Sequence, residues 1–339
     1  MKFLIIYSGG LGDVILLSPL IKLLKEKYNN IEIDLLLEAR VAKGSQDFFS
    51  EALTNTINKI KTFDFKNKFA FLKIFDFFLL TKGYDCVISS GTSPIIALLL
   101  FFTNIKKRIG YKSKLSFLLT DSIKFNPDQY MSFALFDLFN LILKENPEKK
   151  LSCIPEFKIK NTALIQEPYI LIHPGVSLLS QKKNIIKSPN SKDWIEIINH
   201  FLKTSKEKII LIGGQEDSNI IKEILSEDLL NHERFLNMSD KNFNIKELAN
   251  LIYYSKEFIC VDSAPMHLGV AVKANMTCLF GPTDPQKLLP PNQKNIKIIK
   301  VNNLLCQPCL WTKRKESCAL PLCIKLLKDE FLSIKNTLL

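Results

Sequence analysis

The stretch 258–285, FICVDSAPMHLGVAVKANMTCLFGPTDP, restricts the fold more than any other part of the chain. It reads as an apolar strand over 258–261 and a polar turn, Asp262-Ser263-Ala264-Pro265. A short helix of small residues over 266–272 and a second apolar strand over 276–280 follow. The closing loop, Gly281-Pro282-Thr283-Asp284-Pro285, is rich in turn formers. A strand that delivers a carboxylate, a hydroxyl and backbone N–H groups to a helix start builds an anion site. The first-turn amides lack helical partners, and the helix dipole favours negative charge there. Pro265 suits the first helical position, where its missing N–H costs nothing, and His267 falls in the first turn. A plain cap, in which Asp262 or Ser263 only satisfies backbone donors, fits the same spacing equally well.

The rest of the chain repeats this grammar. Residues 2–7 form a short apolar run bounded by Ser8-Gly9-Gly10, as in a strand buried on both faces. Residues 13–28 have helical periodicity, with Val14, Leu17, Ile21 and Leu24 on one face, and 31–37 read as the next strand. This is the opening βαβ unit of a doubly wound sheet. Its loop, Gly9-Gly10-Leu11-Gly12-Asp13, invites a dinucleotide-binding reading with Asp34 as ribose partner. The third glycine of that fingerprint is missing, however, and Ile15 stands in its place. Asp13 reads either as a helix cap or as a general base at the carboxyl edge of the sheet.

Residues 66–80 are an apolar, aromatic helical segment, read as core packing or as an interfacial membrane helix. A strand over 84–90 and a buried helix over 94–102 lead into 105–114, the densest basic stretch. That stretch is a solvated loop or a patch for acidic groups of a substrate or membrane; without interleaved aromatics, nucleic acid is not the expected partner. Residues 145–167 are polar, Lys-rich and without long periodicity, as in a linker. Strands at 169–173, 208–212 and 235–237 then alternate with helices near 193–202, from 217 and over 245–253. Two Rossmann-like domains, 1–160 and 161–339, facing each other across a cleft are the expected α/β architecture. The strand ends of the second place Gly175, Lys187, Gly213, Gly214 and 262–267 on one edge, lining the cleft.

Composition bounds the partners. A net charge of +12, from 46 basic against 34 acidic residues, points to an anionic partner. The longest apolar run, 95–102, is far too short to span a bilayer, and the N-terminal run is too short for a signal peptide. The eight cysteines do not pair at regular spacing, which reads as a cytosolic chain. Four of them, Cys306, Cys309, Cys318 and Cys323, have a spacing open to structural zinc, a disulfide or free thiols.

Taken together, these residues resemble the ADP-heptose–lipopolysaccharide heptosyltransferase family, glycosyltransferase family nine, with its two-domain GT-B architecture. The resemblance covers essentially the whole chain. It rests on Gly12-Asp13-Val14 with Ser18-Pro19, on Arg108-Ile109-Gly110-Tyr111, on His173-Pro174-Gly175 and on Gly213-Gly214. Above all it rests on Asp262-Ser263-Ala264-Pro265-Met266-His267 followed by Phe280-Gly281-Pro282-Thr283-Asp284-Pro285. It implies an inverting, metal-independent transfer of heptose or a similar sugar from an ADP-sugar to a lipopolysaccharide-core or other surface-glycan acceptor. No cofactor beyond the nucleotide-sugar donor is implied.

By this resemblance Asp13 is the general base. Gly12, Lys106, Lys107, Arg108 and Lys112 form the acceptor side. On the donor side, Lys187 and the amides from Ser263 through Ala264 to Met266 meet the leaving diphosphate. Asp262 holds donor hydroxyls or orders the loop, His267 contacts sugar or phosphate, and Thr283 lies nearby. Asn237 falls where the family has a carboxylate on the donor ribose; Ala264 replaces a glycine. Lys187-Ser188-Pro189 lacks a tryptophan between lysine and proline, so counting from Trp194 favours Lys187 as the phosphate lysine whereas counting from Pro189 favours Ile186. The family's cysteine-rich tail implies a non-catalytic structural role for the four C-terminal cysteines, and its last helix is one that packs back on the first domain. The chain is then cytoplasmic, with peripheral contact at the inner membrane. Two other classes compete: a non-catalytic module for nucleotide sugars or polyanions, and an NAD-dependent oxidoreductase.

Overall fold

The computed structural model describes residues 1–54, 56–64, 73–310, 313–314 and 318–337. The chain divides into two units, Met1–Lys158 and Ile159–Leu339. The first holds a six-stranded sheet of β1 (Lys2–Tyr7), β2 (Glu32–Leu37), β3 (Lys59–Thr62), β4 (Cys86–Ser89), β5 (Lys107–Tyr111) and β6 (Asp121–Ile123), in the order β3-β2-β1-β4-β5-β6. The second holds β7 (Tyr169–His173), β8 (Lys208–Leu211), β9 (Phe235–Asn237), β10 (Glu257–Val261), β11 (Met276–Leu279) and β12 (Ile296–Ile299), ordered β12-β11-β10-β7-β8-β9. All pairings are parallel, and in both sheets the chain starts at the centre, runs to one edge, returns and runs to the other. Each unit is therefore a doubly wound Rossmann-like fold.

Helices on both faces explain why the central strands read as unbroken apolar runs. Phe3 to Ile6 of β1 and Phe258 to Val261 of β10 are wholly buried. The edge strands β3 and β6 are short and mostly polar, β12 is short with one lysine, and the sequence reading places no strand at these three, whereas the fourth edge, β9, lies where a strand is expected. Helices Ala39–Ala52 and Met131–Leu143 likewise lie where the sequence reading placed none. The basic stretch is not a loop: its middle is β5. Of the expected linker, Cys153 and Phe157 are buried in the first unit, which ends two residues before the expected 160.

The first helix, Leu11–Lys27, begins two residues before the periodicity does and carries Pro19 in its interior. A proline there removes the N–H that would bond the carbonyl of Ile15. The Ser18 hydroxyl supplies the missing donor, 2.7 Å from that oxygen, and Ser132 of helix Met131–Leu143 donates to the next carbonyl, Leu16, at 3.0 Å. The Ser-Pro pair thus carries its own repair. At the other end of the chain, helix Leu327–Thr337 buries Leu327 and Phe331 in the core of the second unit, with the Phe331 ring 5.9 Å from that of Phe201. Part of the aromatic segment 66–80 lies outside the described residues; the rest forms helix Ile74–Thr81. No described helix is long and apolar enough to cross a membrane.

Candidate functional site

In the second unit, β7 and β10 are neighbours, and their carboxyl ends bring His173-Pro174-Gly175 next to Asp262-Ser263. This is the point where the chain changes direction across the sheet, the place where ligands bind in such folds. Helix Ala264–Ala271 starts here with Ser263 as its first flanking residue. No side chain caps it; the Ser263 hydroxyl turns back to the Val261 carbonyl at 3.2 Å. The simple-cap alternative for Asp262 and Ser263 is thereby corrected. Of the expected amide donors, that of Met266 already bonds Ser263 O at 3.2 Å.

Asp262 instead pairs with Lys187, Nζ to Oδ2 3.1 Å, with both side chains only 10% exposed. Ile186, the residue of the alternative count, is 43% exposed. The missing tryptophan has a stand-in of sorts: Ser188 accepts from Trp194 Nε1 at 2.9 Å and donates to Pro174 O at 2.7 Å, tying the lysine loop to the β7 loop. A buried ion pair recovers little of its desolvation cost, so a cation held there is weakly explained by stability.

The glycines of this edge pack against a side chain of the same unit. Asp217, which the sequence reading passed over, fills the space they leave. A Cβ on Gly175 would lie 2.1 Å from its carboxylate, and one on Gly213 3.2 Å from its Cβ. The Asp217 carboxylate accepts from Gly214 N–H at 2.9 Å and lies 3.4 Å from His173 Nε2. His173 Nδ1 and Asp217 Oδ1 are buried without hydrogen-bond partners. Asn237 spends its side-chain oxygen on the turn after β9, accepting from Ser239 N and Oγ at 3.1 and 2.8 Å. His267 is buried in the helix after Asp262, and the hydroxyl of buried Thr283 has no hydrogen-bond partner.

The loop that carries Thr283 is clasped from downstream. Gln307 Nε2 donates to Phe280 O and Gly281 O at 3.0 and 2.6 Å, and the amides of Cys309 and Leu310 both reach Pro282 O at 2.9 Å. Gly281 is a glycine because Ile324 Cδ1 would lie 2.3 Å from its Cβ. The cysteine-rich segment is therefore scaffold for this loop. All eight cysteines are free thiols, and burial pushes that of Cys323 up to about 11, so it is protonated at neutral pH. Among the described residues no group of three or more His, Cys, Asp or Glu is placed to hold a metal ion.

In the first unit Asp13 sits in the first turn of helix Leu11–Lys27, half-exposed, and accepts from Gly10 N–H at 2.7 Å through Oδ2. Burial, together with the Asp13 carboxylate, holds the Tyr7 phenol protonated well above its usual range. Gly9 permits this packing, since its Cβ would meet the Tyr7 ring at 2.4 Å and Asp13 Cβ at 2.6 Å. A carboxylate already on the Gly10 amide stands where a dinucleotide would need its pyrophosphate, and fully buried Ile15 fills the helix–strand contact. Asp34 lies mid-strand, 2.5 Å from Tyr84 OH, away from the ribose position at the strand end. The dinucleotide reading of this loop is thus corrected. Gly12 is buried beside Asp13.

Of the expected acceptor side, Arg108 is engaged internally, donating to Ile105 O at 2.6 Å and Leu118 O at 3.3 Å. Lys107 pairs with Asp121 at 3.6 Å, while Lys106 and Lys112 are exposed.

Comparison with known proteins agrees with this geometry. Residues 78–320 match glycosyltransferase family 9 (heptosyltransferase). Lipooligosaccharide heptosyltransferase 2 of Campylobacter jejuni is 24% identical over 339 residues, covering 97% of this chain and 95% of that protein. Among solved structures, Escherichia coli ADP-heptose LPS heptosyltransferase II superposes with a TM-score of 0.70 at 18% identity, covering 100% of this chain and 98% of the other. The Escherichia coli heptosyltransferase WaaC bound to ADP-2-deoxy-2-fluoro heptose gives 0.66 at 13% identity, with both chains covered completely.

Proposed function

The chain belongs to glycosyltransferase family 9, and from that premise we propose that it moves heptose, or a closely similar sugar, from an ADP-sugar to a lipid-linked core glycan. The observation that carries the proposal is the buried Lys187–Asp262 pair at the uncapped start of helix Ala264–Ala271. A sugar diphosphate leaving group develops negative charge on its bridging oxygen as the anomeric bond breaks. A fixed ammonium and helix-start amides meet that charge without reorganisation. With Lys187 in that role no metal is required, and Asp262 is left to hold the lysine and to accept from donor hydroxyls.

The acceptor hydroxyl attacks the anomeric carbon from the face opposite the diphosphate, so the new C–O bond forms as the old one breaks and the configuration inverts. Its proton passes to Asp13, whose second oxygen is outside the Gly10 bond. His267 and Thr283 lie on the donor side; Gly12, Lys106 and Lys112 lie on the acceptor side. Adenine as the base has its support in the relative solved with an ADP-sugar analogue. Transfer then takes place on the cytoplasmic side of a membrane, where nucleotide sugars are made.

Calorimetric titration with ADP, UDP, GDP and NAD tests the donor reading. ADP is expected to bind selectively, and Asp262→Ala is expected to weaken it at least about tenfold. Equal binding of all four, or tightest binding of NAD, removes the proposal.

A further inference from the structure

Helices Ile74–Thr81 and Pro94–Phe101 carry more apolar side chains than their buried faces use. Phe77 and Leu100 are fully buried beneath them. On the same helices Phe75 is 71% exposed, Leu79 56% and Ile95 64%, and Phe101 is also exposed. Phe102 just beyond is 66% exposed, and Phe117 in the turn Ser116–Leu118 is 75% exposed. These are not scattered residues. Ile74 and Phe78 of one helix and Leu98, Leu99 and Phe102 of the other line a common recess of about 490 Å³. Arg108 joins the turn to them: its guanidinium lies 6.0 Å from the Phe101 ring and donates to Leu118 O. Single exposed apolar residues need no explanation, but a contiguous patch of this kind marks a surface that something covers.

The chemistry of the patch selects the cover. Its elements are flanked by exposed lysines, Lys82, Lys106, Lys112 and Lys114, and the two helices together contain one acid, Asp76. The apolar residues are Phe, Leu and Ile, of the kind that bury the apolar face of an interfacial helix in a bilayer surface. Lysine stems reach outward from an apolar base to place their charges among anionic headgroups. Helices of eight residues cannot cross a bilayer but can lie in its surface plane. We propose that this face of the first unit docks on an anionic lipid bilayer, with the exposed phenylalanines entering the headgroup–acyl boundary. The proposal rests on the reading above in one respect, that a lipid-linked acceptor brings the chain to a membrane.

Vesicle flotation of the full chain tests it. Binding is expected to vesicles carrying about a third phosphatidylglycerol in phosphatidylcholine and to fall steeply with added salt, with little binding to phosphatidylcholine alone. The exposed triple variant Phe75→Gln, Phe102→Gln, Phe117→Gln is expected to lose at least about tenfold in partitioning while keeping its melting temperature and its turnover on a delipidated, water-soluble acceptor. Failure of the wild-type chain to float with either vesicle overturns the proposal, as does unchanged flotation of the triple variant. A wild-type dimer that the triple variant turns into a monomer also overturns it, because the patch is then a protein interface. ADP titration separates the two readings. Flotation without ADP binding removes the transferase and leaves the surface, whereas turnover on soluble acceptor without flotation removes only the surface.

Discussion

Both units contain the same short sentence, Gly-Gly-x-x-Asp: Gly9-Gly10-Leu11-Gly12-Asp13 after β1 and Gly213-Gly214-Gln215-Glu216-Asp217 after β8. Locally they fold alike. In each, the aspartate reaches back to the amide of the second glycine, at 2.7 Å in one and 2.9 Å in the other. Their surroundings then part them. The first follows the central strand of its sheet and opens a helix of 17 residues, leaving Asp13 half in solvent. The second follows the next strand out and opens a single tight turn, which folds Asp217 under Gly175 and beside His173. The difference shows that the turn chemistry belongs to the backbone, while the work a carboxylate can do is set by which strand it follows and what buries it.

The sharpest way to break that comparison is to make one change in both places. Asn can still accept from the glycine amide, so Asp13→Asn is expected to keep the fold and ADP affinity but lower the transfer rate by about 10²- to 10⁴-fold. Asp217→Asn is expected to cost about 2 kcal/mol in denaturant melts and less than about tenfold in turnover. Equal rate losses at the two positions would erase the distinction.

A second test removes the buried cation of the second unit, Lys187. Lys187→Met leaves Asp262 buried without its partner, and a loss of about 3 kcal/mol in stability is expected together with at least tenfold weaker ADP binding. A variant as stable as the parent would show that the pair is open to water.

Next in size is Gly175→Ala, whose new methyl meets the Asp217 carboxylate; about 2 kcal/mol of destabilisation is expected. Much of that cost should vanish in an Asp217→Ala background, a coupling that a double-mutant cycle reads directly. The smallest effect lies in the first unit. Ser18→Ala orphans the Ile15 carbonyl beside Pro19 and is expected to cost about 1 kcal/mol, with no change in nucleotide affinity.

Much of this architecture was readable before any coordinates. Strands buried on both faces announce themselves as apolar runs, and β1, β7, β10 and β11 fall within a residue or two of where the runs lie. The edge strands β3, β6 and β12 were not readable, because a strand with one open side has little in its composition to set it apart, although the fourth edge strand, β9, was. At the site, Asp262 was named from the strand–turn–helix pattern and Lys187 with the family resemblance, yet their pairing was not read, since 75 residues separate them. Asp217 was missed although the repeated Gly-Gly-x-x-Asp pattern marks it. Nor did the sequence show that Asn237, an amide in a carboxylate's position, also holds its own turn.

The clasp on the Thr283 loop has a consequence for how the molecule comes into being. Its two halves are made at different times. A growing chain that has just added Thr283 has not yet made Gln307, Cys309, Leu310 or Ile324, the residues that fix the loop from outside. The sheet beneath can assemble as it emerges, but this loop is fixed only later, by chain that arrives after it.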